Sequence, residues 1–302
     1  MQNIYEDLCR LAGEPNVRRK EPMQHHTTFR IGGPAAYYVT PKEREEVAAV
    51  MRFCREQEIP YYILGNGSNL LVSDAGFDGV VIAIDRLWRY TVWEGCRVTA
   101  GAGTPLAVLA REALEYGLTG MEFAAGIPGT LGGAVVMNAG AYGSEMKNII
   151  TSATVLTIGG EVLTLSAGEL ALGYRTSCIP AAGHVVLAAE LELAAGDPAQ
   201  IRSRMEELAV QRRTKQPLEY PSAGSTFKRP PGHFAGKLIQ DAGLSGYRVG
   251  GAQVAEKHNG FVINAGDAAA ADVIALCDHV KSEVKRQFDV DLELEVKLLG
   301  KF

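Results

Sequence analysis

Apolar positions along this chain recur with two periods, one helical and one suited to short strands. Thr40-Pro41-Lys42-Glu43 combines a capping threonine, proline at the first helical position and glutamate at capping-box spacing, which predicts a helix start. Val47, Val50, Met51 and Cys54 then share one helical face. Tyr61 to Leu64 reads as a short buried strand. A turn, Gly65-Asn66-Gly67-Ser68-Asn69, leads to a second strand at Leu70 to Val72, and Val80 to Ile84 is a third. These elements predict a small α/β unit.

Arg97 to Ala100 is the next strand. Thr104-Pro105 predicts a second capped helix with Leu106, Leu109, Ala110 and Ala113 inward and Gly117 as its stop. Ala153 to Ile158 and Glu161 to Ser166 flank Gly159-Gly160, a hairpin signal. Val185 to Leu193 alternates as a strand. Asp197-Pro198 opens a helix to about Arg213, its arginines and glutamates facing water, and a domain boundary is expected near residue 200. A loop over Pro217 to Pro231 follows, then a short helix at Ala235 to Ala242 and glycine turns around Gly246, Gly250 and Gly251. Phe261 to Asn264 is a strand. Asp267 to Phe288 is an amphipathic helix with Val273, Ile274, Cys277, Val280 and Val284 near one face, and Leu292 to Leu298 is an alternating strand.

Composition narrows the classes. The 302 residues suffice for two or three domains, and 47% hydrophobic with 22% charged residues is ordinary for a globular protein. A net charge of −5 does not favour nucleic acid or an anionic membrane, so an anionic ligand must be held by local donors. No apolar run approaches bilayer length, and the charged N-terminal stretch lacks a signal-peptide core. Five scattered cysteines without a CxxC pair point to a reduced, cytoplasmic protein without structural zinc, and no histidine spacing suggests a metal.

Candidate chemistry concentrates in five places. Phe123 to Gly143 is glycine-rich, apolar and almost uncharged. It suits main chain wrapped closely around a large ligand, with N–H groups free for phosphate oxygens. Tight packing of a small-residue turn and helix is equally open. The turn at 65–69 can form an anion nest with Ser68 and Asn69 as added donors, or be a plain Asn-Gly hairpin turn. It matches neither the Rossmann fingerprint nor a Walker loop. Two such segments, about sixty residues apart, suit one extended dinucleotide held between two subdomains. In Ala223-Gly224-Ser225-Thr226-Phe227-Lys228-Arg229-Pro230, Ser225 follows a glycine and Lys228 and Arg229 can bind phosphate or carboxylate; an exposed basic loop reads the same way. No GxSxG pattern marks a serine hydrolase. Arg175 in Tyr174-Arg175-Thr176-Ser177 can clamp a carboxylate or be an ordinary surface arginine. Strand alternation puts Glu293, Glu295 and Lys297 on one face, ordinarily the solvent face.

Taken together, these segments resemble the UDP-N-acetylenolpyruvoylglucosamine reductase (MurB) family of flavoenzymes. The blocks TTFRIGGPA, LGNGSNLLVSD, AAGIPGTLGGAVVMNAGAYG, YRTS, AGSTFKRP, AGKLIQDAGLSGYRVGGAQVAEKHNGFVIN and LELEVKLLG occur in the family's order from about Thr27 to the end. The tight YRTS segment is similar to the shorter variant that lacks a tyrosine loop. The resemblance implies an α+β fold. Two α/β subdomains of the vanillyl-alcohol-oxidase or p-cresol-methylhydroxylase FAD-binding type would span 1–84 and 85–200, and a C-terminal α+β substrate domain 201–302. By matching motifs, FAD would be held by Gly65, Asn66, Gly67, Ser68 and Asn69. The second segment would add Ala124, Ala125, Gly126, Ile127, Pro128, Gly129, Thr130, Gly132, Gly133, Asn138, Gly140 and Ala141. Arg175, Ser225 and Glu295 would be the catalytic set, with Tyr174, Lys228 and Arg229 at the substrate. Many members carry a basic residue where this chain has Ser245, so Lys228, Arg229 or Arg248 is expected to take part of that load.

The reaction implied is NADPH-driven reduction of the enolpyruvyl ether of UDP-N-acetylglucosamine to a D-lactyl ether, in peptidoglycan precursor synthesis. Arg175 would stabilise the enolate-like charge and Glu295 would hydrogen-bond the same group. Ser225 would deliver the proton. The expected partners are NADPH and the UDP-sugar, with no nucleic acid or membrane, for a monomer. A flavin enzyme oxidising a small alcohol and an inactive nucleotide-binding protein remain as other readings of the same residues.

Overall fold

The structure is a computed structural model that describes residues 3–84 and 88–302. The expected boundary between 84 and 85 abuts residues 85–87, outside the described residues. The chain forms two compact units. Unit 1 comprises residues up to 19, 37–66 and 79–212; unit 2 comprises 20–36, 67–78 and 213–302. Neither is continuous in sequence. The helix Pro198–Lys215 runs unbroken through the boundary expected near residue 200, and the change of unit falls at 212/213.

Unit 1 contains the predicted helix Arg44–Glu56, with Val47, Val50, Met51 and Cys54 all buried. It begins later than Thr40-Pro41 implied, because Lys42 N–H is satisfied by the Glu46 carboxylate and no side chain caps the end. Burial in this apolar face pushes the Cys54 thiol up to about 12, which keeps it protonated. Tyr61–Leu64 pairs in parallel with the Phe77–Ala83 strand through residues 80–83.

A five-stranded antiparallel sheet completes unit 1 in the order Val162–Ser166, Ile150–Leu156, Val185–Glu192, Arg97–Gly101, Thr91–Glu94. The Gly159-Gly160 hairpin forms as expected, with Gly160 at φ 90°. Val185–Glu192 does not alternate: residues 185–189 are all buried, because this is the middle strand and the helix Leu131–Met137 covers it. The helix Leu106–Glu115 packs Leu106, Leu109, Ala110 and Ala113 inward. Thr104 does not cap it; its hydroxyl donates to Tyr90 O.

Unit 2 holds a three-stranded antiparallel sheet, Arg248–Val249, Ala252–Val254 and Val262–Asn264, with the helices Ala235–Asp241 and Ala270–Phe288. Val273, Leu276, Cys277, Val280 and Val284 of the longer helix are buried. That helix starts at Ala270, three residues later than predicted, where the Asp74 carboxylate accepts Ala270 N–H at 2.7 Å and Ala271 N–H at 2.9 Å. Leu70–Val72 pairs in parallel with Lys297–Leu299. The last strand is thus shorter than Leu292 to Leu298, since ladder partners begin only at residue 297 and residue 294 makes a single bridge to Phe227. Among the described residues no helix is long and apolar enough to cross a membrane.

Candidate active site

The first finding concerns the two glycine-rich segments, which meet in unit 1. Asn66 Nδ2 donates to Pro128 O at 2.6 Å, across 62 residues of sequence. A Cβ on Gly65 would lie 2.7 Å from Thr130 Oγ1. Gly65, Asn66, Gly126 and Pro128 are exposed here. Among the described residues no protein acceptor lies on the N–H groups of Asn66, Gly126, Gly129 or Thr130. The result is a surface of bare main-chain donors, a cradle that side chains would fill, and it suits a phosphate-bearing cofactor.

The remaining turn residues fall in unit 2. Gly67 sits at φ 60°, and a Cβ there would come within 2.0 Å of His26 O, so only glycine fits. Asn69 Nδ2 donates to Glu295 O at 3.1 Å, while Lys297 N–H donates to Asn69 O at 3.0 Å. Ser68 is half-buried beside them.

Not all of the 124–141 run faces outward. Ala124 and Gly132 are buried; a Cβ on Gly132 would meet Ala102 Cβ at 2.9 Å, so this glycine serves close packing. Ala125 and Ile127 are half-buried, Gly133 is exposed, and Gly140-Ala141 pairs with Ser144-Glu145. Asn138 is fully buried in a left-handed conformation, φ 42°. Its Nδ2 donates to Glu145 Oε2 and to Gly173 O, both at 2.9 Å, and its Oδ1 accepts Lys147 N–H at 2.9 Å.

That asparagine positions Arg175. Gly173 and Thr176 exchange backbone hydrogen bonds around a tight turn with Tyr174 and Arg175 at its tip. Ser177 Oγ donates to Val136 O at 2.8 Å on the far side. Arg175 is half-buried, at φ 55°, with Nη2 donating to Gly140 O at 3.3 Å and the guanidinium 5.3 Å from the Tyr174 ring centre. Arg175 is thereby brought to the glycine-rich run. Asn138→Ala is expected to cost about 2 kcal/mol or more, because it orphans buried polar groups. A denaturation midpoint measured beside wild type checks this.

Ser225 and Glu295 both lie in unit 2, on segments joined by a backbone bond between Thr226 and Glu295. Gly224, at φ 75°, turns the chain into a stretch held on both sides. Thr226 N–H donates to Gly260 O at 2.8 Å, Thr226 Oγ1 accepts Val262 N–H at 2.8 Å, and Thr226 O accepts Glu295 N–H at 2.9 Å. Ser225 and Glu295 are both half-buried, whereas Glu293 and Lys297 are exposed, so Glu295 does not share the solvent face of its neighbours. Among the described residues no protein group bonds the Ser225 hydroxyl. Thr226 was missed in the sequence, where it reads as one more polar loop residue.

The cations nearby are differently engaged. Lys228 Nζ donates to Glu293 at 2.8 Å, and this contact holds the Glu293 carboxyl below its ordinary range. Arg229 donates to His233 O and lies 3.9 Å from the Phe234 ring centre. Arg248 is exposed on its strand. Ser245 Oγ accepts Asn259 Nδ2 at 2.8 Å, so Ser245 anchors a buried asparagine.

Comparison with known proteins follows this division. A family model for the UDP-N-acetylenolpyruvoylglucosamine reductase C-terminal domain matches residues 216–299, and one for an FAD binding domain matches residues 35–166. The UDP-N-acetylenolpyruvoylglucosamine reductase of Geobacillus thermodenitrificans is 51% identical over 302 residues, covering 99% of this chain and 98% of that one. The crystal structure of the enzyme of that name from Thermus caldophilus matches with a TM-score of 0.81 at 37% identity, covering 94% of this chain and 100% of that chain. Phl p 4, a grass pollen allergen with glucose dehydrogenase activity, matches at TM-score 0.51 and 13% identity over 65% of this chain and 45% of its own, a likeness of fold alone. The α+β, FAD-binding fold of the vanillyl-alcohol-oxidase type with a C-terminal α+β domain is therefore the architecture of this chain. With half its residues identical to such a reductase along nearly its full length, the chain belongs to the UDP-N-acetylenolpyruvoylglucosamine reductase (MurB) family.

Proposed function

We propose that this protein reduces the enolpyruvyl ether of UDP-N-acetylglucosamine to UDP-N-acetylmuramate, using FAD and NADPH, in peptidoglycan precursor synthesis. The observation that carries this reading, beside family membership, is the Glu295 N–H to Thr226 O bond, which ties Glu295 to the residue that follows Ser225. FAD, when bound, supplies the hydride chemistry. The bare donors at 65–66 and 126–130, with Gly67, Ser68 and Asn69, would hold it.

The chain's own residues supply charge and protons. Hydride addition at the vinyl carbon leaves negative charge on the adjacent carbon and its carboxylate. The Arg175 guanidinium stabilises that charge. Glu295, in its protonated form, donates a hydrogen bond to the same group. Ser225 donates its hydroxyl proton to the carbanion; a hydroxyl is a weak acid, but the carbon it protonates is strongly basic. Tyr174, Lys228 and Arg229 contribute to substrate binding, Lys228 after exchanging its Glu293 partner. The region before residue 200 supplies the FAD-binding residues together with Tyr174 and Arg175, and the region after it supplies Ser225, Lys228, Arg229 and Glu295. We place the protein in the cytoplasm as a monomer without membrane or nucleic-acid partners; the net charge of −5 supports the absence of anionic partners.

An anaerobic two-step titration tests the reading. NADPH should bleach the bound flavin, and the enolpyruvyl UDP-sugar should restore its visible absorbance without oxygen. Bleaching without restoration would leave the scaffold and remove the substrate. Failure to take up FAD at all would remove the cofactor.

A further inference from the structure

Gly260 is a buried residue of unit 2 whose two main-chain polar groups are both in use. Its carbonyl accepts Thr226 N–H at 2.8 Å, and Thr226 directly follows Ser225. Its N–H donates to His258 Nδ1 at 3.2 Å. The half-buried imidazole is seated closely there: a Cβ on Gly260 would lie 3.0 Å from His258 Cε1 and 3.2 Å from Nδ1. The start of the helix Ala235–Asp241 closes in as well, since a Cβ on Gly236 would lie 3.0 Å from Gly260 N. The Phe261 ring meets the imidazole edge-on, with ring centres 4.8 Å apart. Among the described residues the Gly260 N–H has no other acceptor, and a buried donor left unmade is costly.

A ring nitrogen accepts only when it carries no proton, so this bond requires a neutral imidazole with its hydrogen on Nε2. Burial favours that form and holds the His258 pKa below its ordinary value of 6.5, with its own backbone acting the other way. The charged groups on the surrounding segments are engaged elsewhere. In its own turn Lys257 pairs with Glu219 and Glu256 is exposed; on the helix Lys237 pairs with Asp241, and His233 before it is exposed. Beside Thr226, Lys228 pairs with Glu293, and Glu295 is bonded to Thr226 by its N–H. None of these contributes to the shift of His258. As pH falls through the lowered pKa, the ring gains a proton, Nδ1 stops accepting and the tie to Gly260 is lost. Glu295 acts protonated in the reaction proposed above, so acid does not disable it. A loss of rate at low pH calls for a group that works neutral.

We propose that His258 is a positioning residue for the proton donor: it holds Gly260 and, through Gly260 and Thr226, the segment that presents Ser225. The inference rests on the function proposed above. His258→Asn keeps a side-chain acceptor able to reach the N–H two residues on, without a titrating group, and His258→Ala removes it. Stopped-flow reoxidation of the reduced holoenzyme by the enolpyruvyl UDP-sugar is followed between about pH 4.5 and 8. Wild type should lose about 10-fold toward the acid end, and His258→Asn should stay near the neutral wild-type rate throughout. His258→Ala should be about 10-fold slow at every pH. Flavin reduction by NADPH should be alike in all three. A flat wild-type profile, or an acid limb that persists in His258→Asn, overturns the proposal. So does an equal loss in both variants, which would place the ring on the substrate itself. Hydrogen exchange at the Gly260 amide tests the tie without substrate. It should be slow in wild type and His258→Asn and fast in His258→Ala, and equal protection in all three overturns the tie. If substrate does not reoxidise the wild-type flavin, the function proposed above fails, while that exchange pattern would still bear out the tie.

Discussion

Ser225→Ala is expected to slow reoxidation of the reduced flavin by substrate about 10²- to 10⁴-fold, the range for loss of a positioned proton donor. Flavin reduction by NADPH should keep its wild-type rate, since it requires no proton on the substrate carbon. Stability should hardly change, because no protein group among the described residues bonds the Ser225 hydroxyl. The strand around it is fixed by Thr226, whose bonds to Gly260, Val262 and Glu295 survive the substitution. Stopped-flow absorbance of the two half-reactions checks this separately from folding. Comparable losses in both halves would rule out Ser225 as a specific proton donor.

Arg175→Gly should separate function from stability even more sharply. At φ 55° a residue with a side chain is strained by about 1 kcal/mol or more, and glycine is not. The substitution removes the bond to Gly140 O from a half-buried side chain. The turn stays tied through Asn138 to Gly173 and through Ser177 to Val136. The thermal midpoint is therefore expected within a few degrees of wild type, while substrate-dependent reoxidation falls about 10²- to 10³-fold for loss of a preorganised charge. A large fall in the midpoint with unchanged reoxidation would make Arg175 a structural residue.

What the sequence discloses depends on whether the cause is local. Val47, Val50, Met51 and Cys54 repeat at helical spacing, so their burial is legible, as is the Gly159-Gly160 hairpin. Helix starts are less so. Thr40 and Thr104 have the right chemistry to cap, but one start is satisfied by Glu46 and the second threonine bonds Tyr90 instead. The glycine-rich segments announce themselves by composition, yet only tertiary structure brings Asn66 to Pro128. The different fates of Gly126 and Gly132, one exposed and one packed on Ala102, cannot be told from a run in which both look alike. Arg212 was assigned to the solvent face because a helix rich in arginine and glutamate gives no periodic signal. It is half-buried, its side chain lying against Gly126, more than eighty residues away in sequence. Glu295 looks like its exposed neighbours in an alternating strand, yet it is half-buried, with its main chain bonded to Thr226 and Asn69, residues far away in sequence.

The Asp74 carboxylate on the first turn of Ala270–Phe288 bears on how the protein is made. During synthesis residues 67–78 leave the ribosome almost 200 residues before the helix they cap. Leu70–Val72 must likewise wait for Lys297–Leu299, more than 220 residues later. Unit 2 therefore cannot close until residue 299 has emerged, whereas unit 1 has all of its residues once 212 is out. A polypeptide cut at 212/213 would separate the early segments from their late partners, leaving the helix uncapped and the strand unpaired. Such halves should recover the native unit only when combined, and a truncation lacking the last six residues should fail late, with unit 1 already formed.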